Sequence, residues 1–356
     1  MDPLTHALSG ALLARVAAPA NPPRLIGPAA SSHLPLRLQV TAGFFAAVFP
    51  DLDFALRLID TLTYLNWHQG PTHSLVMLPL WAWLLACLFS RFFSGSYSWR
   101  QFYLPTCLGL AIHIAGDLIT SYGLMLFAPF STERYSLPLV FVIDPWFTLI
   151  IIAGLLTSWL NPNQKITAIT ALLGLSGYVL FLWTLHTQAV GFARHHADAI
   201  PHTDISVLPQ PLSPFHWQII IRQGKNYHIA LINLRKTSAS HQQDISNEWL
   251  LSKIATAYRP STENSWQLYP QFGENLVLSK QVQNAWLQPA FEPFRTFSKY
   301  PILARIDRSE KKLCYWFYDM RFKFPELPPS FLFGICRLDN EPDWQMLRHR
   351  GLFYID

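Results

Sequence analysis

The sequence predicts an all-α polytopic membrane helical bundle of four to six membrane segments, followed by a smaller α+β soluble domain. Hydrophobic residues make up 51% of the 356 residues and charged residues only 14%, whereas a soluble domain is about 25% charged. The charge is also uneven, because residues 1–186 hold 8 Lys/Arg and 7 Asp/Glu whereas residues 187–356 hold 19 and 15. We therefore expect a membrane-embedded metal-site helical domain over residues 1–187 and a soluble β-rich domain over residues 188–356.

The predicted membrane segments are apolar stretches of about the 18 or more residues that a bilayer requires. Two shorter apolar segments precede them, Leu4–Val16 and Leu38–Phe49, and each is too short to cross a bilayer upright. The long stretches are Ser74–Phe93, Leu104–Phe127, a segment that starts at Asp144-Pro145 and runs to Leu160, and Ile166–Thr187.

Basic residues predict the orientation of these segments. Arg15, Arg24 and Arg37, then Arg91 and Arg100, then Lys165 lie in loops that share one side if every segment crosses. By the positive-inside rule this side is the cytoplasm. We expect a multi-pass protein of the bacterial inner membrane whose C-terminal domain is periplasmic or otherwise extracytoplasmic.

The second half has short β-branched and aromatic runs near period two, such as HWQIII and YHIALINL, which indicate strands. It has no basic run with interleaved aromatic residues, so we expect no nucleic-acid partner. Cys314 and Cys336 lie in predicted strands, and the sequence does not decide whether they form a disulfide or are two buried free thiols. His195, His196 and His202 follow the last apolar segment and are interpreted as part of a solvated linker.

Histidine and acidic residues recur together along the first half. Five of its seven acidic residues lie beside or among histidines. Alone, Asp51 and Asp53 could be a solvated helix end, and His6 a buried structural histidine. The case for a metal rests on the set, because imidazole and carboxylate ligands together suit Zn, Mn or Fe. The predicted ligands are His6, Asp51, His68, His73, His113, Asp117 and Glu133.

His113 and Asp117 are four residues apart, so both project from one face of a helix. An aspartate within a membrane helix costs several kcal/mol unless it is paired, protonated or metal-bound. A simple hydrogen bond between the two residues is the alternative.

Arg134 either binds a substrate phosphate or pairs with Glu133.

The motifs MDPLTHALSGALLAR, FPDLD, HQGPTHSL, HIAGDLITSYG and ERYSL…FVIDP resemble the YdjM/YbcI-type family of membrane-bound metal-dependent hydrolases, over roughly residues 1–160. This family is distantly similar to zinc-dependent phospholipases C and single-strand nucleases, so the resemblance implies phosphoester hydrolysis. Two departures stand out: Gln69 replaces a common arginine, and a histidine expected between HxxxD and the glutamate is missing.

We therefore expect a membrane-bound hydrolase with one to three divalent ions, zinc being the expected metal, acting on a phosphoester of a lipid or lipid-linked substrate. Asp51 or Asp53 would bridge metals or act as general base, and Arg134 would bind substrate. Membrane lipid is the expected partner, and the sequence names no protein partner. The alternative is a non-enzymatic membrane protein, either a metal-stabilised scaffold or a transporter, because intramembrane ionisable residues also mark ion pathways.

Overall fold

A computed structural model describes residues 1–19, 34–93, 97–161, 165–197, 203–235, 250–260, 266–309, 312–338 and 343–348. The chain divides into two compact units, Met1–Thr184 and Leu185–Asp356. Arg24 and His202, used in the sequence predictions, lie outside the described residues.

The first unit is helical. Its helices are α1 (Pro3–Ala17), α2 (Leu36–Val48), α3 (Thr61–Trp67), α4 (Leu78–Phe92), α5 (Trp99–Leu118), α6 (Pro145–Leu160) and α7 (Ile166–Ala197), the last of which ends in the second unit. Two 3₁₀ segments, Phe49–Leu58 and Pro71–His73, flank α3. Asp2 and Asp144 cap α1 and α6 by accepting hydrogen bonds from main-chain N–H groups of the first turn, and a proline follows each cap.

The predicted bundle of four to six membrane segments is wrong. Within the described residues only α7 is long and apolar enough to cross a membrane, or two segments are if the pair Thr61–His73 and Leu78–Phe92, bent by 82°, forms one span. Of the long predicted stretches, Ile166–Thr187 lies within α7, whereas the others do not form one apolar helix of sufficient length. The helix α5 ends at Leu118, so the second stretch is cut short, and α4 and α6 contain only 15 and 16 residues.

Three helices of the first unit meet through glycines. An ideal Cβ on Gly10 of α1 would lie 2.3 Å from the carbonyl oxygen of Gly43 on α2. A Cβ on Gly109 of α5 would lie 2.5 Å from the same oxygen. Only glycine permits this approach, so α1, α2 and α5 pack with their backbones nearly in contact. Between them these helices carry His6, the chain leading into Asp51, and His113 with Asp117.

The second unit contains two sheets. The first is ordered β1 (Thr203–Pro209), β2 (His216–Gln223), β3 (Asn226–Asn233), β4 (Arg259–Pro260), with β5 (Gln267–Pro270) also pairing with β3. The second is the antiparallel series β6 (Pro301–Ser309), β7 (Lys312–Asp319), β8 (Phe333–Leu338), β9 (Trp344–Arg348). The described part of the second unit also contains the helices α8 (Leu250–Thr256), α9 (Leu276–Trp286) and α10 (Glu292–Phe297).

Two sequence interpretations of this part are now settled. Cys314 and Cys336 are directly opposite each other on β7 and β8 and form a disulfide. His195 and His196 are the last turn of α7 and not a linker. The His196 ring stacks on Trp266 with ring centroids 4.0 Å apart, and both residues belong to the second unit.

Candidate metal centre

Four side chains from three elements converge at one buried point. Asp51, His73, His113 and Asp117 each offer one ligand atom, and these atoms all lie within 4.8 Å of one another. His73, His113 and Asp117 are at most 1% exposed. The four residues include both imidazole and carboxylate groups, the donor types of catalytic zinc and related sites.

The helix α5 supplies two of the four donors. His113 and Asp117 are one turn apart on its buried face, and His113 Nε2 lies 3.3 Å from Asp117 Oδ2. Both residues therefore project from one face of a helix, as predicted. Their separation also matches a shared ion, since two donors of a tetrahedral zinc with bonds of about 2.0–2.1 Å lie about 3.3–3.4 Å apart.

The other two donors come from the 3₁₀ segments. Asp51 is in the first turn of Phe49–Leu58, and His73 ends Pro71–His73. His73 Nε2 lies 3.3 Å from Asp117 Oδ2, and Asp51 Oδ1 lies 3.8 Å from both His73 Nε2 and His113 Nε2. Asp51 is the most exposed of the four, at 13%.

The facing atoms have no hydrogen-bond partner. Within the described part of the chain, His73 Nε2, His113 Nε2, Asp117 Oδ2 and Asp51 Oδ2 are all buried and unpartnered. Buried polar atoms are nearly always paired, and each exception needs an explanation. Four such atoms in one cluster fit a cation, which would satisfy all of them at once.

Hydrogen bonds on the far side of each imidazole fix its orientation. His113 Nδ1 donates to the carbonyl oxygen of Ala47 at 2.6 Å. His73 Nδ1 donates to Thr72 Oγ1 at 2.9 Å, and that hydroxyl donates to Asp53 Oδ2 at 3.4 Å. Because Nδ1 makes these outer bonds, Nε2 of each ring is the nitrogen that faces the cluster, the arrangement that metal-bound histidines commonly show.

His6 borders the cluster without facing it. Its ring stacks on His113 at 3.7 Å, and its Nε2 lies 3.0 Å from Asp117 Oδ1. Burial, with the nearby His113 and Met1 ammonium, lowers the pKa of His6 to about 3. A neutral His6 therefore donates its Nε2–H to Asp117 and orients that carboxylate. Gly116 makes room for this ring, because a Cβ there would lie 3.2 Å from His6 Cε1.

Both carboxylates of the cluster are held ionised. Burial acts to raise the pKa of Asp117, but the Met1 ammonium and His6 with His113 hold it well below its usual value. Burial also acts to raise the pKa of Asp51, but the nearby His73 and His113 lower it overall. Ionised carboxylates are the form that binds a metal ion.

Asp53 and His68 form a second pair beside the cluster. His68 Nδ1 lies 2.8 Å from Asp53 Oδ1, and Asp53 Oδ2 accepts a hydrogen bond from the main-chain N–H of Gln69 at 3.1 Å. Gln69 itself has a positive φ of 59°. Asp53 thus holds the turn of the HQGPTHS motif, and neither Asp53 nor His68 belongs to the group of four.

The structure places Glu133 and Arg134 outside the cluster. Glu133 is exposed and accepts a hydrogen bond from the Tyr135 hydroxyl at 2.8 Å. The Arg134 guanidinium donates to the carbonyl oxygens of Asn66, His68 and Gly123 at 2.7–3.1 Å. Arg134 therefore fixes the chain that carries His68, and its role in substrate binding stays a prediction.

Two residues that orient the cluster histidines, Thr72 and Ala47, were not predicted from the sequence. Thr72 lies inside the HQGPTHS motif, and its hydroxyl, placed next to a predicted ligand, was a signal that could have been used. Ala47 acts through its carbonyl oxygen, which any residue possesses, so no side chain signalled it.

The fold and the cluster thus define a helical unit with a candidate metal centre, joined to a unit with two sheets. Residues 1–189 match the YdjM inner membrane protein family, and the chain belongs to that family. It is 23% identical over 231 residues to the uncharacterized protein YfhP of Bacillus subtilis (strain 168), a match that covers 64% of this chain and 67% of that protein. No solved structure matches the chain.

Proposed function

We propose that this protein is a membrane-bound metal-dependent hydrolase that cleaves a phosphoester of a lipid or lipid-linked substrate. The observation that carries the proposal is the set of four buried, unpartnered donor atoms on Asp51, His73, His113 and Asp117. These side chains would hold one divalent ion, with zinc the metal that best suits two imidazoles and two carboxylates. Such an ion lowers the pKa of a water molecule toward neutrality and polarises a phosphoryl oxygen.

Asp51 and Asp53 would have different roles in the reaction. In the hydrolysis, a water oxygen would bond to phosphorus, the bond from phosphorus to the alcohol oxygen would break, the water proton would pass to a base, and the alcohol would leave as its oxygen takes up a proton. Asp51 suits the base role, because its pKa is lowered and it is the most exposed of the four donors. Asp53 is occupied by His68, Gln69 and Thr72, so it orients the site instead.

Apolar side chains next to the centre support a lipid substrate. In the segment that carries Asp51 and Asp53, Leu52 is 61% exposed and Phe54 is 52% exposed, and Leu58 further along is 91% exposed. Trp67, next to His68, is 51% exposed. Large exposed hydrophobic side chains beside a site are typical of surfaces that contact lipid or another apolar partner.

A test combines metal content with turnover. Full-length protein in detergent, loaded with zinc, should hydrolyse bis(p-nitrophenyl) phosphate and a short-chain fluorogenic phospholipid, with the lipid preferred. A chelator should abolish both activities and zinc should restore them. His113→Ala should be as inactive as the chelated protein, whereas Glu133→Gln should match the wild type. Turnover that persists after complete removal of metal would contradict the proposal.

A metal-stabilised scaffold is the second candidate, and the burial of three of the four donors favours it. A scaffold would lose thermal stability with its metal and show no turnover on either substrate. A hydrolase would show turnover that His113→Ala removes. The two candidates are therefore separated by activity, since metal loss destabilises the protein in both cases.

We also propose that the second unit is extracytoplasmic. Its disulfide between Cys314 and Cys336 supports this, because disulfides persist in oxidising compartments and are rare in the cytosol. The cytoplasmic-membrane location itself is in accord with the inner membrane family to which the chain belongs.

A further inference from the structure

The second unit contains a cavity of about 560 Å³ that none of the metal-site residues line. Its floor is buried and consists of Gln218, Ile229, Tyr318 and Met320. Cavities of this size and partly apolar character are the usual form of small-molecule sites. The cavity is separate from the candidate metal centre, since all of its lining residues lie between 218 and 326.

One polar atom stands out on the floor. The Gln218 side chain is 2% exposed, and its Oε1 has no hydrogen-bond partner within the described residues. Gln218 lies on β2 directly opposite Leu231 of β3, which also lines the cavity, so both side chains project from the same face of the sheet. A buried amide oxygen without a partner is costly. An O–H or N–H of a bound molecule would satisfy it.

The walls and the rim have different chemistry from the floor. The rings of Trp266, Tyr269 and Phe324 line the walls, and such rings stack well on a planar apolar body. Arg259, Lys323 and Glu326 contribute the charged groups. Lys323 Nζ donates to the carbonyl oxygens of Phe324 and Leu327. An ammonium has three N–H donors, so the third can serve an anionic group.

We infer that this cavity binds a small organic anion whose apolar, ring-sized body carries one hydrogen-bond donor. The ring would lie between the aromatic walls, its donor would reach Gln218 Oε1, and its carboxylate or similar group would face Lys323 and Arg259. The apolar floor residues Ile229 and Met320 disfavour a polyhydroxylated ligand, because they would leave its hydroxyl groups unpaired.

Two matched probes test the hydrogen bond. Indole-3-acetate has the ring, the carboxylate and an N–H, whereas indene-3-acetate has a carbon in place of the nitrogen. Binding to the full-length protein in detergent is measured by calorimetry and by saturation-transfer NMR. Wild type should prefer the indole acid by about five- to tenfold, the effect of one hydrogen bond. Gln218→Leu should bind both acids equally.

Variants elsewhere on the cavity check the remaining contacts. Lys323→Met should weaken both acids several-fold, whereas Lys280→Met, on the exposed face of α9 and away from the cavity, should not. Leu231→Phe adds a ring to the cavity and should abolish binding of both acids, which keeps the test valid if Gln218→Leu does not fold. Failure of both acids to bind wild type at millimolar concentration, a preference that persists in Gln218→Leu, or binding that survives Leu231→Phe would overturn the inference.

Discussion

The Nδ1 atom of His113 donates a hydrogen bond to the carbonyl oxygen of Ala47, 2.6 Å away. Ala47 is the penultimate residue of α2, and Asp51 lies four positions further along the chain. The contact therefore joins the helix that carries two of the candidate ligands to the segment that carries a third. It also sets which nitrogen of His113 faces the cluster. Ligand geometry and the packing of α2 against α5 depend on the same atoms.

The first prediction concerns metal content. Purified wild-type protein should carry at least one transition metal ion per chain, and the double variant His113→Ala, Asp117→Ala should lose most of it, because half of the donor set is removed. Glu133→Gln is the control, since this exposed carboxylate lies outside the group of four. Elemental analysis of the detergent-purified proteins measures the ratio. Equal metal content in wild type and double variant would refute the assignment of the site.

The second prediction separates Asp51 from Asp53. Asp51→Asn should lower metal content sharply, because it removes a charged donor. Asp53→Asn should keep metal under saturating conditions but lower the affinity by about 10–100-fold, as is typical when a partner of a metal-bound histidine is changed. Metal titrations against a competing chelator measure both values. The reverse ranking would show that Asp53 is the ligand and Asp51 the supporting residue.

The third prediction tests the glycine contact. Gly109→Ala should lower the melting temperature and the metal content together, because its Cβ would lie 2.5 Å from the carbonyl oxygen of Gly43. Gly177→Ala in α7 is the matched control. Nothing lies within 4 Å of a Cβ at that position, and alanine is favoured over glycine in a helix by about 1 kcal/mol.

Thermal unfolding and elemental analysis of the two alanine variants provide the comparison. Gly177→Ala should melt at or above the wild-type temperature and keep its metal. A Gly109→Ala protein with unchanged melting and full metal content would mean that α2 and α5 can separate without disturbing the site.

The fourth prediction concerns the side of the membrane on which the second unit lies. In a background with Cys87→Ser and Cys107→Ser, Lys280→Cys should react with an impermeant maleimide in spheroplasts, because this residue is exposed on α9. The Cys314–Cys336 pair should run as an intact disulfide on non-reducing gels after thiols have been blocked. Protection of Lys280→Cys until the cells are lysed would place the unit in the cytoplasm.

Much of the candidate site could be predicted from the sequence because its residues occur in short, local motifs. The spacing of His113 and Asp117 is a property of any helix, so it did not depend on tertiary structure. Asp51 and His73 were predicted as members of a set, but their distances from α5 depend on the packing of α2 and the bend before α4. Residue type alone could not distinguish Asp51, which faces the cluster, from Asp53, which binds His68.

The number of membrane segments was predicted wrongly for a related reason. Hydropathy records apolar side chains but not where a helix ends. Leu104–Phe127 is mostly apolar, yet α5 ends at Leu118 and the chain beyond it returns to pack, with the main-chain N–H of Leu137 donating to the carbonyl oxygen of Leu118. Residues 74–77 are apolar too, but a bend of 82° separates α4 from the preceding helical residues. Tertiary contacts override hydropathy at both places.

The depth of the candidate centre bears on how quickly an ion could enter or leave. Because His73, His113 and Asp117 are at most 1% exposed, an ion would reach them only when part of the protein opens. Exchange would then follow the rate of local opening, which differs between segments of a protein. The 3₁₀ segment Pro71–His73 contains only three residues and joins the cluster through one of them. Its opening would release a single ligand while α5 keeps its pair, and so it would serve as the kinetic gate for ion exchange.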